Sequence, residues 1–361
     1  MNEARHERSS VDWELAAATA RRALSWKPPL ADEVHLAVEA DFAELTTRAE
    51  DLVAEVTGLH PAPGHARART VDRAEWVDAN LASFARVLAP VLDRQSTSPI
   101  ARIMRRTPIG QQAAGVEVGL LLSWMSTRVL GQYDALPGGP EGKDAIYYVA
   151  PNIVGIEQRH GFAPRDFRLW IAVHEVTHRF QFTAVEWMEP YFLGLVERAT
   201  GIAFDVSTVL ESLGRLVAAA RAGENPLGES GIIGLIASAD QLVTVRDAQA
   251  LMSLLEGHAD IVMGSVGDDV IPGATRFAKV LSERRERAKG TTKFVQQLLG
   301  VEAKLRQYRD GEEFVEAVIA ERGVAGFSQV WQRPENLPSL EEIRSPERWL
   351  ARVGGSVSPT A

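Results

Sequence analysis

Residues 169–181 have the sequence LWIAVHEVTHRFQ, in which His174, Glu175 and His178 form the pattern H-E-x-x-H. On a helix, positions four apart lie on the same face with their Cβ atoms about 5–6 Å apart. Two imidazoles at that separation can bind one metal ion, at about 2.0–2.1 Å from each nitrogen. The spacing therefore predicts a pair of metal ligands on one face of a helix, and the apolar residues on either side predict that this helix is buried.

The helix that carries this pattern is expected to run from Pro164 to about Thr183. Proline is tolerated in the first turn of a helix, and Asp166 complements the positive end of the helix dipole. Upstream, Ala145–Ala150 has the sequence AIYYVA, whose aromatic and β-branched residues favour a strand. A Pro-Asn pair interrupts it before a second candidate strand at Ile153–Ile156.

Apolar residues recur at helical spacing along most of the remaining chain. The fold class predicted from this pattern is mainly α, with a small β element before the H-E-x-x-H helix. Helices are expected within residues 10–60 with a break at 27–29, and at 72–92, 111–130, 246–264, 275–289 and 292–308. The predicted domains are an N-terminal helical segment at 1–70, a main domain at 71–352 and a tail at 353–361. The stretch GENPLGESG at 223–231 marks a candidate boundary between two lobes of the main domain.

Glu175 follows the first histidine and is rotated about 100° from it around the helix. From there its carboxylate can reach a metal-bound water without binding the metal itself. Zinc lowers the pKa of such a water toward about 7, and a neighbouring carboxylate can take its proton as the water attacks a carbonyl. The pattern thus predicts a zinc-dependent hydrolase with Zn²⁺ as cofactor and Glu175 as general base.

Zinc held by two histidines needs a third protein ligand if the fourth position is left for water. The downstream stretch LLEGHAD, residues 254–260, offers Glu256 and His258. On a regular helix Glu256 and Asp260 share one face, whereas His258 points about 200° away, so only one of the two candidates can face the metal. Glu256 is the preferred ligand, because Asp260 could then accept the free N–H of a ligating histidine. The alternatives are His258 as the ligand, or no metal at all, and His258 otherwise belongs to the core.

Gly257, between these two candidates, lies in the middle of the predicted helix. A glycine there costs about 1 kcal/mol relative to alanine. Its presence indicates that another helix approaches closely at this point.

The composition restricts the ligands and excludes several classes of protein. The 361 residues include eight His and no Cys, which excludes a zinc ribbon, an iron–sulfur cluster, a disulfide and a cysteine nucleophile. The formal net charge of −9 argues against nucleic acid as the main partner. The N-terminal residues lack the basic start and apolar centre of a secretory signal, and no apolar stretch reaches the length of about 20 residues that a membrane helix needs. These features predict a cytoplasmic protein without a membrane partner.

The segment Glu256-Gly-His-Ala-Asp260 resembles those that follow H-E-x-x-H in zincin metallohydrolases with a glutamate third ligand. More specifically, the chain is similar to a family of zincin-like hydrolases, mainly actinobacterial, labelled as associated with the biosynthesis of a deazaflavin coenzyme. The similarity covers roughly residues 75–352 and is carried by the following stretches: Leu130-Gly-Gln-Tyr-Asp134, Ala150-Pro-Asn-Ile153, Asp166-Phe-Arg-Leu-Trp170, His174–Gln181, Glu256–Asp260, Leu299-Gly300, Lys304, Gln307-Tyr308 and Pro334-Glu-Asn-Leu-Pro338.

This resemblance implies a mostly helical fold and a zinc site at His174, His178 and Glu256, with Glu175 as base. After the H-E-x-x-H helix the chain has Glu186-Trp187 in place of the family's Pro-Trp, a difference that would alter the rim of the cleft and leave the metal site intact.

The predicted activity is that of a peptidase or amidase acting on a peptide or amide substrate. Two alternatives are a zincin scaffold that binds a partner or peptide without turnover, and a structural zinc site that joins two lobes. Amide hydrolysis also needs a donor to the oxyanion of its transition state. The sequence does not choose between a nearby Arg and the tyrosines Tyr147, Tyr148, Tyr191 and Tyr308.

Overall fold

The structure, a computed structural model, describes residues 11–27, 29–61, 63–87, 107–136, 144–200, 239–287 and 301–354. Over these ranges the chain is mainly helical with a three-stranded sheet, which confirms the predicted fold class. Two compact units are present, one formed by Met1–Phe180 with Asp268–Ala274 and the other by Gln181–Gly267 with Thr275–Ala361. The candidate lobe boundary at 223–231 lies outside the described residues, and the division near residue 70 stays a prediction.

The elements follow one another along the chain as a long helical series interrupted by three short strands. In chain order they are α1 (Trp13–Leu24), α2 (Asp32–Thr57), β1 (Arg67–Val71), α3 (Arg73–Val87), α4 (Pro108–Ser126), β2 (Gly131–Tyr133), β3 (Ala145–Val149), α5 (Ala150–His160), α6 (Pro164–Thr183), α7 (Met188–Thr200), α8 (Ala239–Val270), α9 (Ala274–Arg287), α10 (Val301–Phe327), α11 (Leu340–Ile343) and α12 (Pro346–Gly354). Among the described helices, none is both long and apolar enough to cross a membrane.

The sheet lies in the first unit and has the strand order β1-β3-β2. β1 runs parallel to β3, with Arg67 opposite Ala145, and β2 runs antiparallel to β3, with Gly131 opposite Tyr148. Every residue of β3 is buried. A central strand buried on both faces explains why its sequence is continuously apolar instead of alternating.

Helices α1 and α4 pack together closely in the same unit. A Cβ on Gly115 would lie 2.4 Å from the carbonyl oxygen of Asp12, and a Cβ on Gly119 would lie 2.3 Å from that of Ala16. Glycine at these two positions therefore allows the backbones to approach, and the surrounding core is filled by residues such as Trp76.

The second candidate strand, at Ile153–Ile156, is wrong, because these residues form the middle of α5. Pro151 occupies the first turn of this helix, where proline costs no hydrogen bond. The helix ends at Gly161, which has the left-handed φ of 60° that favours glycine. The Pro-Asn pair thus starts a helix directly after β3 instead of interrupting a strand.

Candidate metal centre

Helix α6 carries the H-E-x-x-H pattern and has the bounds that the sequence predicted, Pro164–Thr183. Two arginines fix its first half within the first unit. Arg168 donates to both carboxylate oxygens of Glu157 at 2.8 Å and to Asp41 Oδ2 at 2.6 Å, and Arg165 donates to Asp41 Oδ1 at 2.6 Å. The N-terminal half of the helix is therefore tied to α2 and α5.

A third arginine fixes the other half of α6. Arg179 is fully buried, and it donates to Glu50 Oε1 at 3.2 Å, to the carbonyl oxygen of Gly64 at 2.8 Å and to Asp144 Oδ2 at 3.2 Å. A buried arginine with several partners fixes the position of its helix, even where its net contribution to the free energy of unfolding is small. Because Arg179 follows His178 directly, these contacts also limit how far that histidine can move.

The two predicted histidine ligands point toward each other on one face of α6. Their Nε2 atoms are 3.2 Å apart and the planes of their rings are nearly perpendicular, at 85°. Two nitrogens bound to one tetrahedral zinc at about 2.0–2.1 Å would be about 3.4 Å apart. The spacing of His174 and His178 thus matches that of a metal-ligand pair.

The carboxylate of Glu175 lies against strand β2. The backbone N–H of Tyr133 donates to Glu175 Oε2 at 3.1 Å, and the side chain passes so close to Gly131 that a Cβ there would lie 2.5 Å from Oε1. Glu175 is buried, with 6% of its surface exposed. The predicted base is therefore held in a defined position by a backbone donor.

Gly131 and Tyr133 were not identified from the sequence as part of this arrangement. The sequence signal that could have identified them is Gly131 itself. A glycine inside a strand often marks a place where another group comes close to the backbone. Strand β2 itself was not predicted, since three residues without a β-branched side chain give no alternating pattern.

The end of α6 contacts the helix that carries the remaining candidates. Gln181, in the second unit, donates through Nε2 to the carbonyl oxygen of Leu255 at 2.9 Å and to Nδ1 of His258 at 3.0 Å. The imidazole of His258 is buried and stacks on Phe327, with ring centroids 5.3 Å apart. His258 is thus packed among aromatic side chains, with Nδ1 already accepting a hydrogen bond.

Glu256 belongs to a group that could hold a metal ion. Within the described part of the chain, His174, His178 and Glu256 each offer one ligand atom, and these atoms all lie within 4.8 Å of one another. Two imidazole nitrogens and one carboxylate oxygen are a donor set typical of catalytic zinc sites, so the residues fit that metal. Asp260 lies one turn after Glu256 on α8 and is partly buried, and its role stays a prediction.

The four candidate tyrosines differ in their surroundings. Tyr148 is fully buried, its hydroxyl pairs with Thr46 Oγ1 at 2.9 Å, and burial raises its pKa, so it stays a neutral core group. Tyr147 is also buried in β3. Tyr191 is half-buried in the second unit, where burial raises the pKa of its hydroxyl, and the side chain of Tyr308 lies outside the described residues.

The chain is similar to a known protein family and to a solved structure. The sequence profile of a family described as zincin-like metallopeptidases matches residues 11–350. A crystal structure from Chloroflexus aurantiacus, of a candidate hydrolase with a novel fold, is similar at 31% sequence identity and a TM-score of 0.71. The match covers 96% of this chain and 100% of that one. No curated protein matches significantly.

Proposed function

This chain belongs to the zincin-like metallopeptidase family, and from that premise we propose that it is a zinc-dependent hydrolase of the peptidase or amidase type. The observation that carries the proposal is the group of His174, His178 and Glu256, whose ligand atoms lie within 4.8 Å of one another. Glu175, the next residue after the first histidine, supplies a carboxylate on the same helix. The similarity to a candidate hydrolase from Chloroflexus aurantiacus is consistent with the same reaction class.

The residues of the site have distinct roles in this proposal. His174, His178 and Glu256 would hold zinc, which supplies a Lewis acid and lowers the pKa of water toward neutrality. Glu175 would take a proton from the attacking water and return it to the leaving amine, as a general base and then a general acid. Asp260 would accept the second ring N–H of a ligating histidine and so fix its orientation.

We propose a peptide or amide substrate on the same chemical grounds. A carboxylate that shuttles one proton serves reactions in which water adds to a carbonyl and an amine leaves. The family description, metallopeptidase, points to the same class of substrate.

The test compares wild type with Glu175→Gln, using purified full-length protein and a peptide library. Wild type should contain about one zinc ion per chain and cleave members of the library. Glu175→Gln should keep the zinc and lose about 10²–10⁴-fold in kcat/KM, because only the proton-accepting group is removed.

Two further variants complete the experiment. Glu39→Gln makes the same chemical change at an exposed position on α2 and should cleave at the wild-type rate. The His174→Ala, His178→Ala double variant should lose both zinc and activity. Equal cleavage by wild type and Glu175→Gln, or none by either, would reject the proposed hydrolase.

A further inference from the structure

The Glu175 side chain makes a contact with β2 that metal binding does not require. A Cβ on Gly131 would lie 2.5 Å from Glu175 Oε1, 2.6 Å from Cγ and 2.7 Å from Cδ. Two residues further along the strand, the N–H of Tyr133 donates to Oε2 at 3.1 Å. One end of the strand thus accommodates the side chain, and the other end binds its carboxylate.

The geometry of the sheet explains why these two residues face Glu175. Backbone hydrogen bonds join Asp134 N to Ala145 O at 2.9 Å and Val149 N to Leu130 O at 2.8 Å. Leu130, Gln132 and Asp134 therefore direct their backbone groups toward β3. The backbone groups of Gly131 and Tyr133, which alternate with them, point away from it. In the described sheet β2 is an edge strand, so its outward N–H groups have no strand partner there. The Glu175 carboxylate binds one of them.

We propose that Gly131 and the Tyr133 amide are positioning groups that hold the Glu175 carboxylate in place for proton transfer. This inference rests on the proposed function, in which Glu175 accepts and returns the proton. A glutamate has three side-chain torsions, and a carboxylate fixed before substrate binds does not have to be ordered during the reaction. The negative charge of the carboxylate strengthens its hydrogen bond from the amide.

Gly131 is required in this arrangement for a steric reason. Any other residue would place its Cβ within 3 Å of three atoms of the Glu175 side chain. Those atoms are the far end of a flexible side chain, and the backbone of β2 pairs with β3 through other groups. In Gly131→Ala the carboxylate therefore moves and loses the Tyr133 amide, while the strand stays paired.

The direct test is an NMR measurement on the zinc-loaded, full-length protein with ¹⁵N-labelled tyrosine. The chain has five tyrosines, so at most five amide signals are expected, and Tyr133→Phe identifies the one from residue 133. That signal should move upfield in both Glu175→Gln and Gly131→Ala, because a charge-assisted hydrogen bond is weakened or lost.

Gly155→Ala is the matched control for the glycine substitution. Gly155 lies inside α5 and a Cβ there would have no neighbour within 4 Å, so the Tyr133 signal should not move. An unmoved Tyr133 signal in both Glu175→Gln and Gly131→Ala would overturn the proposal. Comparing wild type with Glu175→Gln decides the question even if Gly131→Ala does not fold.

A kinetic measurement follows on any peptide that wild type cleaves. Gly131→Ala should keep its zinc and its KM and lose about 100-fold in kcat, because a displacement of the base by about 1 Å has an effect of that size. Gly155→Ala should cleave at the wild-type rate, and a wild-type kcat in Gly131→Ala would contradict the positioning role. If no peptide is cleaved, the proposed hydrolase fails, whereas the NMR result still shows whether β2 holds the carboxylate.

Discussion

Directly after β2, Asp134 places a carboxyl group in the interior next to the strand that contacts Glu175. It is 7% exposed, and it accepts hydrogen bonds from Ser83 Oγ at 3.3 Å and from the N–H of Leu136 at 3.2 Å. Burial raises its pKa, an effect that these two hydrogen bonds only partly offset. At the scale of one residue, the folded chain therefore binds this proton more tightly than the unfolded chain does.

The consequence is a specific pH dependence of stability. Because folding raises the pKa of Asp134, its contribution to stability is greatest below the ordinary value of 3.8 and is lost as pH rises through the raised value. Asp134→Asn has no proton to lose, so the variant should gain stability relative to wild type as pH rises through this range. Urea unfolding of both proteins between pH 4 and pH 7 measures the difference, and a pH-independent difference would contradict the raised pKa.

At the scale of elements, local patterns located the helices better than the strands. α6 has its predicted bounds, because a proline start and helical spacing are local properties of its own sequence. Sequence patterns do not predict β2, and they wrongly favour a strand at Ile153–Ile156 in the middle of α5. A three-residue edge strand and a short apolar run carry too few positions to show a period. The close helix contact inferred at Gly257 is confirmed, because a Cβ there would lie 2.2 Å from the carbonyl carbon of Gly311 in α10.

Gly257→Ala should destabilise the protein. The nearest atoms belong to the backbone of α10, which cannot move aside without shifting the whole helix, and overpacking of this kind costs about 1–3 kcal/mol. Gly264→Ala is the control in the same helix, where a Cβ would meet nothing within 4 Å and alanine should stabilise by about 0.5–1 kcal/mol. The free energy of unfolding in urea distinguishes the two variants, and equal values would refute the close contact.

At the scale of the whole molecule, the candidate ligands come from two helices that are far apart in the sequence. His174 and His178 lie on α6 and Glu256 lies on α8. A metal ion held by all three residues would bind only the folded chain, so its binding would be thermodynamically linked to folding. The chain has no Cys, so no thiolate could replace these ligands in the unfolded state.

Removal of the metal should therefore lower the melting temperature. Zinc present at 100 times its dissociation constant stabilises the folded state by about 2.7 kcal/mol. A chelator should lower the Tm of wild type by several degrees and leave that of the His174→Ala, His178→Ala double variant unchanged. Differential scanning calorimetry makes the measurement, and a chelator-insensitive wild type without zinc would reject the metal site.

Two properties of the candidate site follow from the amino-acid sequence without any knowledge of the fold. Helical spacing placed His174 and His178 on one face of a helix, and the absence of Cys limited any metal ligands to nitrogen and oxygen. Both properties depend on residues within a few positions of one another, or on composition, and neither needs knowledge of the fold.

The groups from distant parts of the chain that contact this helix are set by the tertiary fold. It placed the Tyr133 amide on the Glu175 carboxylate. It also packed His258 against Phe327. Contacts between distant segments depend on how helices and strands pack, and the periodicity along one segment carries no information about which segment packs against it.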